Sequence, residues 1–429
     1  MKLPNKIINI LNLLYSGGYE AYVIGGAVRD ELMGRTPKDY DIVTSASPEE
    51  VMNIFPRSEK VGNCFPVVLV GDIEVATYRI DVGEGAEITQ SLEEDVIRRD
   101  FTINTIASNG NHFLDHVGGL KDIENRILRF VGDPITRIKQ DPLRMLRGIR
   151  FAAQYNLEIE TETFFAIQEC KELFKEIPGE RISQEIIKIF KTNHAYKFLE
   201  ILDQMELLQY VFPNLMRIKG IDGGDYHRET VLNHCFYAVK ALDETKNWKL
   251  KLAALYHDIG KYKPEINEKG FNVFKDHCRH GSDFIRQDLG DYLKFPTNVV
   301  TYVRLMSEYH MDCIDSKRTI KRLYTKLLEH NILLKDFLYL RYADKKGNLK
   351  SHTDFKETRE KYKECLEILN EKQPFSVRDL EIDGHDVMQE LGIQPGRKIG
   401  EILNKLFELV QDEIITNERD VLLIHLIHV

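Results

Sequence analysis

Residues 21–44, AYVIGGAVRDELMGRTPKDYDIVT, constrain the fold more than any other stretch. The apolar run Tyr22–Ile24 reads as a buried strand. Gly25 and Gly26 then permit a tight turn and close backbone approach to a ligand. AVRDELMG predicts one or two turns of helix, and a helix N-terminus behind paired glycines is a seat for phosphate. After Pro37, KDYDIVT predicts a second strand, on which Asp39 and Asp41 point to one face. Two carboxylates beside a phosphate cradle suit a divalent metal, and metal-assisted phosphoryl transfer is the chemistry such a site serves. Each part alone is commonplace: paired glycines are usually a turn, and a DxD is usually a solvated strand end. The order strand, GG, helix, DxD within 25 residues is what points to chemistry.

A chain of 429 residues predicts roughly two to four domains. With 43% hydrophobic and 30% charged residues it can bury a packed core. The formal charge of −9 argues against non-specific coating of nucleic acid, yet allows a local basic groove. Cys64, Cys170, Cys235, Cys278, Cys313 and Cys365 are scattered, with no CxxC, and read as reduced thiols. The N-terminus predicts an amphipathic helix over 5–15, neither a signal peptide nor a membrane span, so a soluble cytoplasmic protein is expected. There is no internal repeat and no low-complexity segment.

Further along, a helix is expected over 48–55 behind Ser47 as N-cap. PVVLVG and DIEVATYR (66–79) predict a hairpin turning at Gly71-Asp72. Glu74, on its second strand, reads equally as a surface carboxylate or as a third acid near the pair. Residues 111–133 carry a Gly118-Gly119 turn and the strand-like ILRFV, and 133–155 turn helical. From Arg137 to Arg150 there are five basic residues and one acid. Such a stripe inside an acidic protein is the footprint that a nucleic acid or a triphosphate needs. Residues 195–215 read as helical, and the Gly- and Asp-rich 218–230 as a domain boundary.

Taken together, GGAVRD, DYD, RRDFTIN (98–104), QDPLR (140–144) and ERISQE (180–185) resemble the class II CCA-adding enzymes and bacterial poly(A) polymerases, whose head pattern is GGxVRD…DxD. The resemblance covers nearly the whole chain. It implies an α+β protein with a small mixed-sheet nucleotidyltransferase head (1–132). An all-helical neck (133–222), an HD domain (223–350) and a helical tail (351–429) with a possible tRNA contact would follow. Asp39 and Asp41 are implied to be catalytic and to hold Mg²⁺. Gly25, Gly26, Arg29 and Asp30, with Arg98, Arg99, Asp100 and Asn104, are implied to bind the incoming nucleotide, its ribose included. Arginine suits phosphate because its planar fork donates in pairs.

The family's base-reading motif, EDxxR, falls on Gln140, Asp141 and Arg144. Asp141 and Arg144 are i and i+3 and are expected to share a helix face. An aspartate accepts from the exocyclic amine of C or A, and an arginine donates to the ring atom beside it, so the pair would reject U and G. Gln140 departs from the family's usual glutamate. Arg147 and Arg150 follow at three-residue steps, either as phosphate contacts or as a solvated basic face. Glu180, Arg181 and Glu185 are implied to order the neck through an ion pair, against a plain surface pair at i, i+4 spacing.

A second constellation, His234, His257-Asp258 in LYHDIGK, His277, His310 and Asp344, resembles the HD-domain signature. His234, His257, Asp258 and Asp344 match its metal tetrad. His277 and His310 match positions of further metal or substrate contact. Imidazole with carboxylate suits Mn, Fe, Ni or Zn better than Mg. Such appended domains are phosphohydrolases in some members and inert in others. In the tail, PGRKIG is a turn entering a helix. It reads as a plain packing unit or as an RNA-phosphate contact through Arg397 and Lys398.

The implied reaction is attack of a tRNA 3′-hydroxyl on CTP or ATP, untemplated by nucleic acid, releasing pyrophosphate. Between Arg79 and Glu93 lie 13 residues without Lys, Arg or an aromatic. Full CCA-adding relatives carry a longer flexible loop there, and its loss accompanies CC-only activity. The expectation is therefore CCA or CC addition, with a separate A-adding enzyme in the second case. A poly(A) polymerase, or chiefly an HD phosphohydrolase, is the rival reading.

Overall fold

The computed structural model describes residues 1–62, 67–82, 85–225, 227–370, 377–412 and 414–426. Cys64, Pro66 and Gly83-Glu84 of the stretches considered above lie outside the described residues. The chain divides into two compact units, Met1–Ile189 with Lys197–Val211, and Phe190–Tyr196 with Phe212–Val429.

The first unit is built on a mixed sheet, as an α+β fold requires. Helix α1 (Asn5–Ser16) buries Ile7, Ile10, Leu11 and Leu14, one stripe at helical spacing. Strand β1 (Ala21–Ile24) follows, then Gly25 at φ +76°, a conformation that favours glycine, and helix α2 (Gly26–Leu32). Strand β2 (Asp41–Thr44) returns antiparallel to β1. Helix α3 (Pro48–Ile54) starts at a capping box in which Ser47 and Glu50 satisfy each other's backbone amides. Strands β3 (Glu59–Val61), β4 (Val67–Val70) and β5 (Ile73–Thr77) complete one side of the sheet, with Gly71 in the β4–β5 turn. β5 runs parallel to β2, and Asp41 stands in register with Glu74.

The segment that continues β5 breaks at Tyr78. Arg79–Val82 (β6) and Gly85–Ile88 (β7) then form a separate antiparallel hairpin, so the span after Arg79 is ordered as a ribbon on both sides of its tip. Helix α4 (Leu92–Ile97) packs Leu92 and Val96 with Tyr78 against Ile24, Val43 and Ala107. This core carries Arg98 and Arg99 to the strand ends. Strands β8 (Ala107–Ser108) and β9 (Phe113–Leu114) finish the seven-stranded sheet, in the order β3-β4-β5-β2-β1-β8-β9.

Two expectations are corrected here. Asp39 is not on the strand, because residues 35–40 around Pro37 are unpaired and β2 begins at Asp41. Residues 133–155 are not one helix: Pro134–Gln140 (α5) and Leu143–Tyr155 (α6) are separated at Asp141, whose backbone is extended ahead of Pro142. Asp141 and Arg144 therefore share no helix face.

In the same unit the Gly179–Phe190 helix supplies Arg181 and Glu185. Arg181 donates from both terminal nitrogens to Asp141, at 3.0 and 2.9 Å, in an exposed pair. Glu185 is buried against Arg150, itself buried and stacked on Phe151.

The second unit is almost wholly helical among the described residues. It includes helices Val231–Ala241, Trp248–Tyr256, Thr297–Tyr309 and Leu334–Gly347. A short hairpin pairs Glu265–Ile266 with Asn272–Val273. The last helices, Gly384–Leu391, Arg397–Gln411 and Arg419–Leu426, close on their own core around Val387, Leu406 and Leu422. Among the described residues no helix is long and apolar enough to cross a membrane.

Glu185→Ala leaves the Arg150 charge buried and unpaired, so urea unfolding should show a loss of about 3–5 kcal/mol. Arg181→Ala removes only the exposed pair and should cost under about 1 kcal/mol. Asp288 tests a different effect. Burial pushes its carboxyl up to about 6, although Tyr256 and Asn214 donate to it and pull it back. A carboxyl raised in the native state stabilises most below its unfolded value and loses that contribution as pH rises. Stability should therefore fall between pH 4 and about 6, and Asp288→Asn should flatten that fall in a pH series of melting curves.

Candidate active site of the head and a histidine-carboxylate centre

In the head, β2 and β5 present Asp41 beside Glu74, and the preceding unpaired segment brings Asp39 within electrostatic reach of Asp41. Partial desolvation, Glu74 and Asp39 push the Asp41 carboxyl up from 3.8, while Arg99 pulls it down. Three carboxylates thus crowd one point, with a cation within electrostatic reach. They line a cavity of 310 Å³ together with Lys6, Lys38, Tyr40 and Asp72. Such a set, acid oxygens whose mutual repulsion lacks full compensation, fits a divalent ion. The sequence allows Glu74 two roles; the register puts it next to Asp41.

Behind the glycines, Arg29 is buried rather than presented to solvent. Its guanidinium donates to Asn104 Oδ1 at 2.7 Å and to Asp30 Oδ1 at 2.8 Å, and lies 4.2 Å over the Tyr155 ring. Asn104 Nδ2 donates in turn to Asp100, which also accepts from the Phe101 amide at 2.8 Å and from Arg147 Nε at 3.0 Å. Burial opposes the Asp100 charge, yet Arg147, Asn104 and the Phe101 amide hold its carboxyl below 3.8. Arg29, Asp30, Asp100, Asn104 and Arg147 are therefore joined into one network, and the Arg29 amide ties it to the Gly25 carbonyl at 3.0 Å. Arg150, open by its spacing between a phosphate contact and a solvated basic face, lies buried and faces inward to Glu185.

A second set faces the same side. Asp95, buried on α4, accepts from Arg99 Nε and Nη2 at 3.1 and 2.9 Å. Arg98 Nε donates to Asp81 at 3.0 Å. Arg144 donates to the carbonyls of Arg137 and Arg98, at 3.1 and 3.3 Å. Asp141, capping the break, accepts from the Leu143 amide at 3.2 Å. Every one of these arginines is tied on one edge, which leaves other donors of the five-N–H fork for a ligand. Arg397 and Lys398 open the tail helix, Arg397 with its side chain 95% exposed and 3.3 Å from Glu401.

In the second unit six side chains converge. His234 Nε2 lies 3.1 Å from both His257 Nε2 and Asp344 Oδ1, and 3.6 Å from Asp258 Oδ2. His257 Nε2 lies 3.4 Å from Asp258 Oδ2 and 3.6 Å from Asp344. On the other carboxylate oxygen, Asp258 Oδ1 is 3.3 Å from His277 Nε2 and 3.6 Å from His310 Nε2, which are 3.4 Å apart. Donors sharing one ion at about 2.1 Å stand about 3.0–3.4 Å from each other in octahedral or tetrahedral geometry.

The far ring nitrogens are anchored. Nδ1 of His257, His277 and His310 meets the carbonyls of Ala254, Phe274 and Ser307 at 2.8, 3.0 and 2.6 Å, which turns each Nε2 to the centre. His234 Nδ1 is the exception: it faces Glu229 Oε1 at 3.4 Å but is buried without a hydrogen-bond partner. Gly260 makes the close approach possible: a Cβ there would stand 1.9 Å from the His277 carbonyl. Asp258 Oδ1 is buried without a hydrogen-bond partner. Burial opposes charge on His234 and His257, but Asp344 and Asp258 outweigh it and push both up to about 9, whereas burial and His257 push His310 down to about 4. An orphaned carboxylate oxygen among preset imidazoles fits a transition metal.

Glu229 was missed by the sequence reading. It accepts from His227 Nδ1 at 2.7 Å while facing His234, and nothing in its spacing distinguishes it from a helix-approach acid. Beside the centre opens a cavity of 490 Å³ lined by His227, Lys261, Asn272, Phe274 and His277 among others.

Comparison with known proteins agrees with the geometry. The Poly A polymerase head domain family matches residues 21–129. A family described as "Probable RNA and SrmB- binding site of polymerase A" matches 156–218, and tRNA nucleotidyltransferase domain 2 matches 280–426. Poly(A) polymerase I of Salmonella typhimurium is 37% identical over 254 residues, covering 54% of this chain and 54% of its own. The chain thus spans about half the length of the poly(A) polymerase relatives it matches. The CCA-adding enzyme of Ligilactobacillus salivarius is 29% identical and covers 97% of this chain and 95% of its own. The crystal structure of the Bacillus stearothermophilus CCA-adding enzyme in complex with CTP superposes with a TM-score of 0.72 at 26% identity, covering 100% of this chain and 98% of that one.

Removing the charge that faces His234 should be visible without any activity measurement. Glu229→Gln is expected to weaken transition-metal affinity by about 10–100-fold in competition with a chelator. Equal affinity in variant and wild type would remove Glu229 from the centre.

Proposed function

We propose that this chain, which belongs to the family of CCA-adding enzymes and bacterial poly(A) polymerases, is a tRNA nucleotidyltransferase of the cytoplasm. It transfers nucleotides from CTP and ATP to the tRNA 3′ end without a nucleic-acid template and releases pyrophosphate. The observation that carries this is the register of Asp41 on Glu74 with Asp39 alongside, facing Arg99. Asp39 and Asp41 would hold Mg²⁺, with Glu74 adding charge. When bound, that metal supplies Lewis-acid polarisation of the reacting phosphate and a more acidic 3′-hydroxyl.

The chain's own residues do the rest. Arg98 and Arg99 receive the triphosphate on the N–H groups that Asp81 and Asp95 leave unused. Asp100 and Asn104, locked by Arg29 and Arg147, present a fixed polar wall to the ribose. Asp141 accepts from the exocyclic amine of cytosine or adenine, and Arg144 donates beside it; uracil offers a carbonyl where Asp141 needs a donor. The two Arg181 bonds to Asp141 keep that carboxylate aimed. The domain limits at 132, 222 and 350 and the RNA contact at Arg397 and Lys398 belong to the same proposal.

One observation favours product release after two cytidylates. The 13 residues after Arg79 carry no cation or aromatic, and their described parts are paired as a hairpin held by Asp81. A separate enzyme would then add the A. Incubating the full chain with tRNA ending at the discriminator base and with CTP, ATP or both decides among products. Two Cs and a stop support CC addition, CCA overturns the hairpin argument alone, and a long A-tail means a poly(A) polymerase.

The converging imidazoles and carboxylates, beside a cavity with Lys261 and Asn272, favour a second, phosphohydrolase function of an HD domain. His234, His257, Asp258 and Asp344 would hold its transition metal. Asp41→Ala should lower nucleotide incorporation by about 10²–10³-fold or more and leave phosphodiesterase hydrolysis intact; His257→Ala should do the reverse. Loss of both activities in either variant would contradict two independent centres.

A further inference from the structure

We propose that Asp81, on the β6–β7 hairpin, is a positioning residue that sets the base-reading arginine Arg144 through the side-chain amide of Gln140. The inference rests on the nucleotidyl-transfer reading and deepens it by naming a determinant of base choice. Asp81 reaches three partners on other segments. Its Oδ1 accepts from Arg98 Nε at 3.0 Å, and its Oδ2 accepts from Arg137 Nη1 and Gln140 Nε2, each at 3.4 Å.

A carboxylate only accepts, so the Gln140 amide must turn its NH₂ toward Asp81. Its oxygen is thereby turned to the arginines: Gln140 Oε1 accepts from Arg137 Nη1 at 3.0 Å and from Arg144 Nη1 at 3.1 Å. The same Arg144 nitrogen donates to the Arg137 carbonyl, and its other terminal nitrogen to the Arg98 carbonyl. The fork is thus gripped from one side, and the amide that grips it is oriented from the hairpin.

Residue 140 is where QDPLR departs from EDxxR. A glutamate there would face Asp81 with like charge at this separation, and the repulsion would drive the two apart. A glutamine accommodates Asp81 and keeps an acceptor for Arg144. Asp81 also holds Arg98, so one carboxylate on the hairpin couples a phosphate-facing arginine to a base-facing one. Movement of the ribbon is felt at both.

The test measures kcat and KM of the full chain for CTP and UTP on tRNA ending at the discriminator base. In Gln140→Glu the CTP-over-UTP preference should fall by about tenfold or more, chiefly through a higher KM for CTP. Asp81→Ala should lower it as well. In the double variant Asp81→Asn/Gln140→Glu the introduced amide can donate to the introduced carboxylate, which restores the link with donor and acceptor exchanged. Its preference should return to within about threefold of wild type, the weight of one ordinary hydrogen bond. Melting midpoints of all variants separate this from loss of fold, since a purely structural role predicts lost stability without rescue of base preference. Unchanged preference in the single variants, or a double variant no better than Gln140→Glu, overturns the inference. A wild-type chain that incorporates no nucleotide overturns the nucleotidyl-transfer reading itself, a result distinct from incorporation with unaltered preference.

Discussion

The head depends on one buried carboxylate. Asp100 sits at the join between α4 and the residues that follow it, and it collects donors from Phe101, Asn104 and Arg147. Through Asn104 it reaches Arg29, and through Arg29 the turn behind β1. A charge with so little water has to be compensated by hydrogen bonds, or its desolvation would exceed anything it gains. The compensation comes from segments that are 118 residues apart along the chain, Arg29 and Arg147. Their side chains are also stacked on the aromatic cluster of Phe151 and Tyr155. The polar network and the aromatic packing therefore specify the same arrangement, and neither can relax alone.

The histidine-carboxylate centre follows a contrasting rule. Its anchors are mostly backbone carbonyls, which any sequence of the right helix geometry would provide. Its specificity lies in Asp258, whose two oxygens serve two pairs of imidazoles. Lys261 is bonded to Asp258 at 2.7 Å and sits in the same helical turn. One cation cannot satisfy two carboxylates, the buried Asp258 and the partly exposed Asp344, and His234 and His257 respond by favouring their charged forms. The cluster is thus built for more positive charge than its lysine brings. A metal is the economical source of it, because it replaces several protons at once.

Much of this was legible in the sequence because order along the chain mirrors order in space near β1 and β2. Gly25 could be read as a turn glycine, Ser47 as a cap and Gly71 as a hairpin turn, since each is a local signal. Where the reading failed, a non-local or steric term decided. Asp39 left the strand because Pro37 and its neighbours have no ladder partner. Asp141 left the helix because Pro142 forbids the preceding residue its helical conformation. Arg150 looked like its neighbours at three-residue spacing, but its step lands on the inward face, opposite Glu185. The hairpin after Arg79 is poor in strand-forming residues and could be found only from its pairing. Glu229 carries no motif and is recognisable only by what its oxygen faces.

The cationic wall of an otherwise acidic protein is made of arginine, and the choice has a physical consequence. Arg98, Arg99, Arg144 and Arg147 each have a protein acceptor on one edge. A lysine in that bond would have its ammonium drawn onto the acid, with little direction left for a second partner. A guanidinium held on one edge is oriented on the other, so its remaining N–H groups point where the acid makes them point. The acids Asp81, Asp95 and Asp100 lower the net charge of the wall while they fix its geometry. A triphosphate meets donors that have already lost their rotamer freedom, and less of its binding energy is consumed in ordering them. Long-range attraction is given up in exchange, because each local acid cancels most of its arginine's field beyond a Debye length. For a site that must distinguish one base from another, direction is worth more than reach.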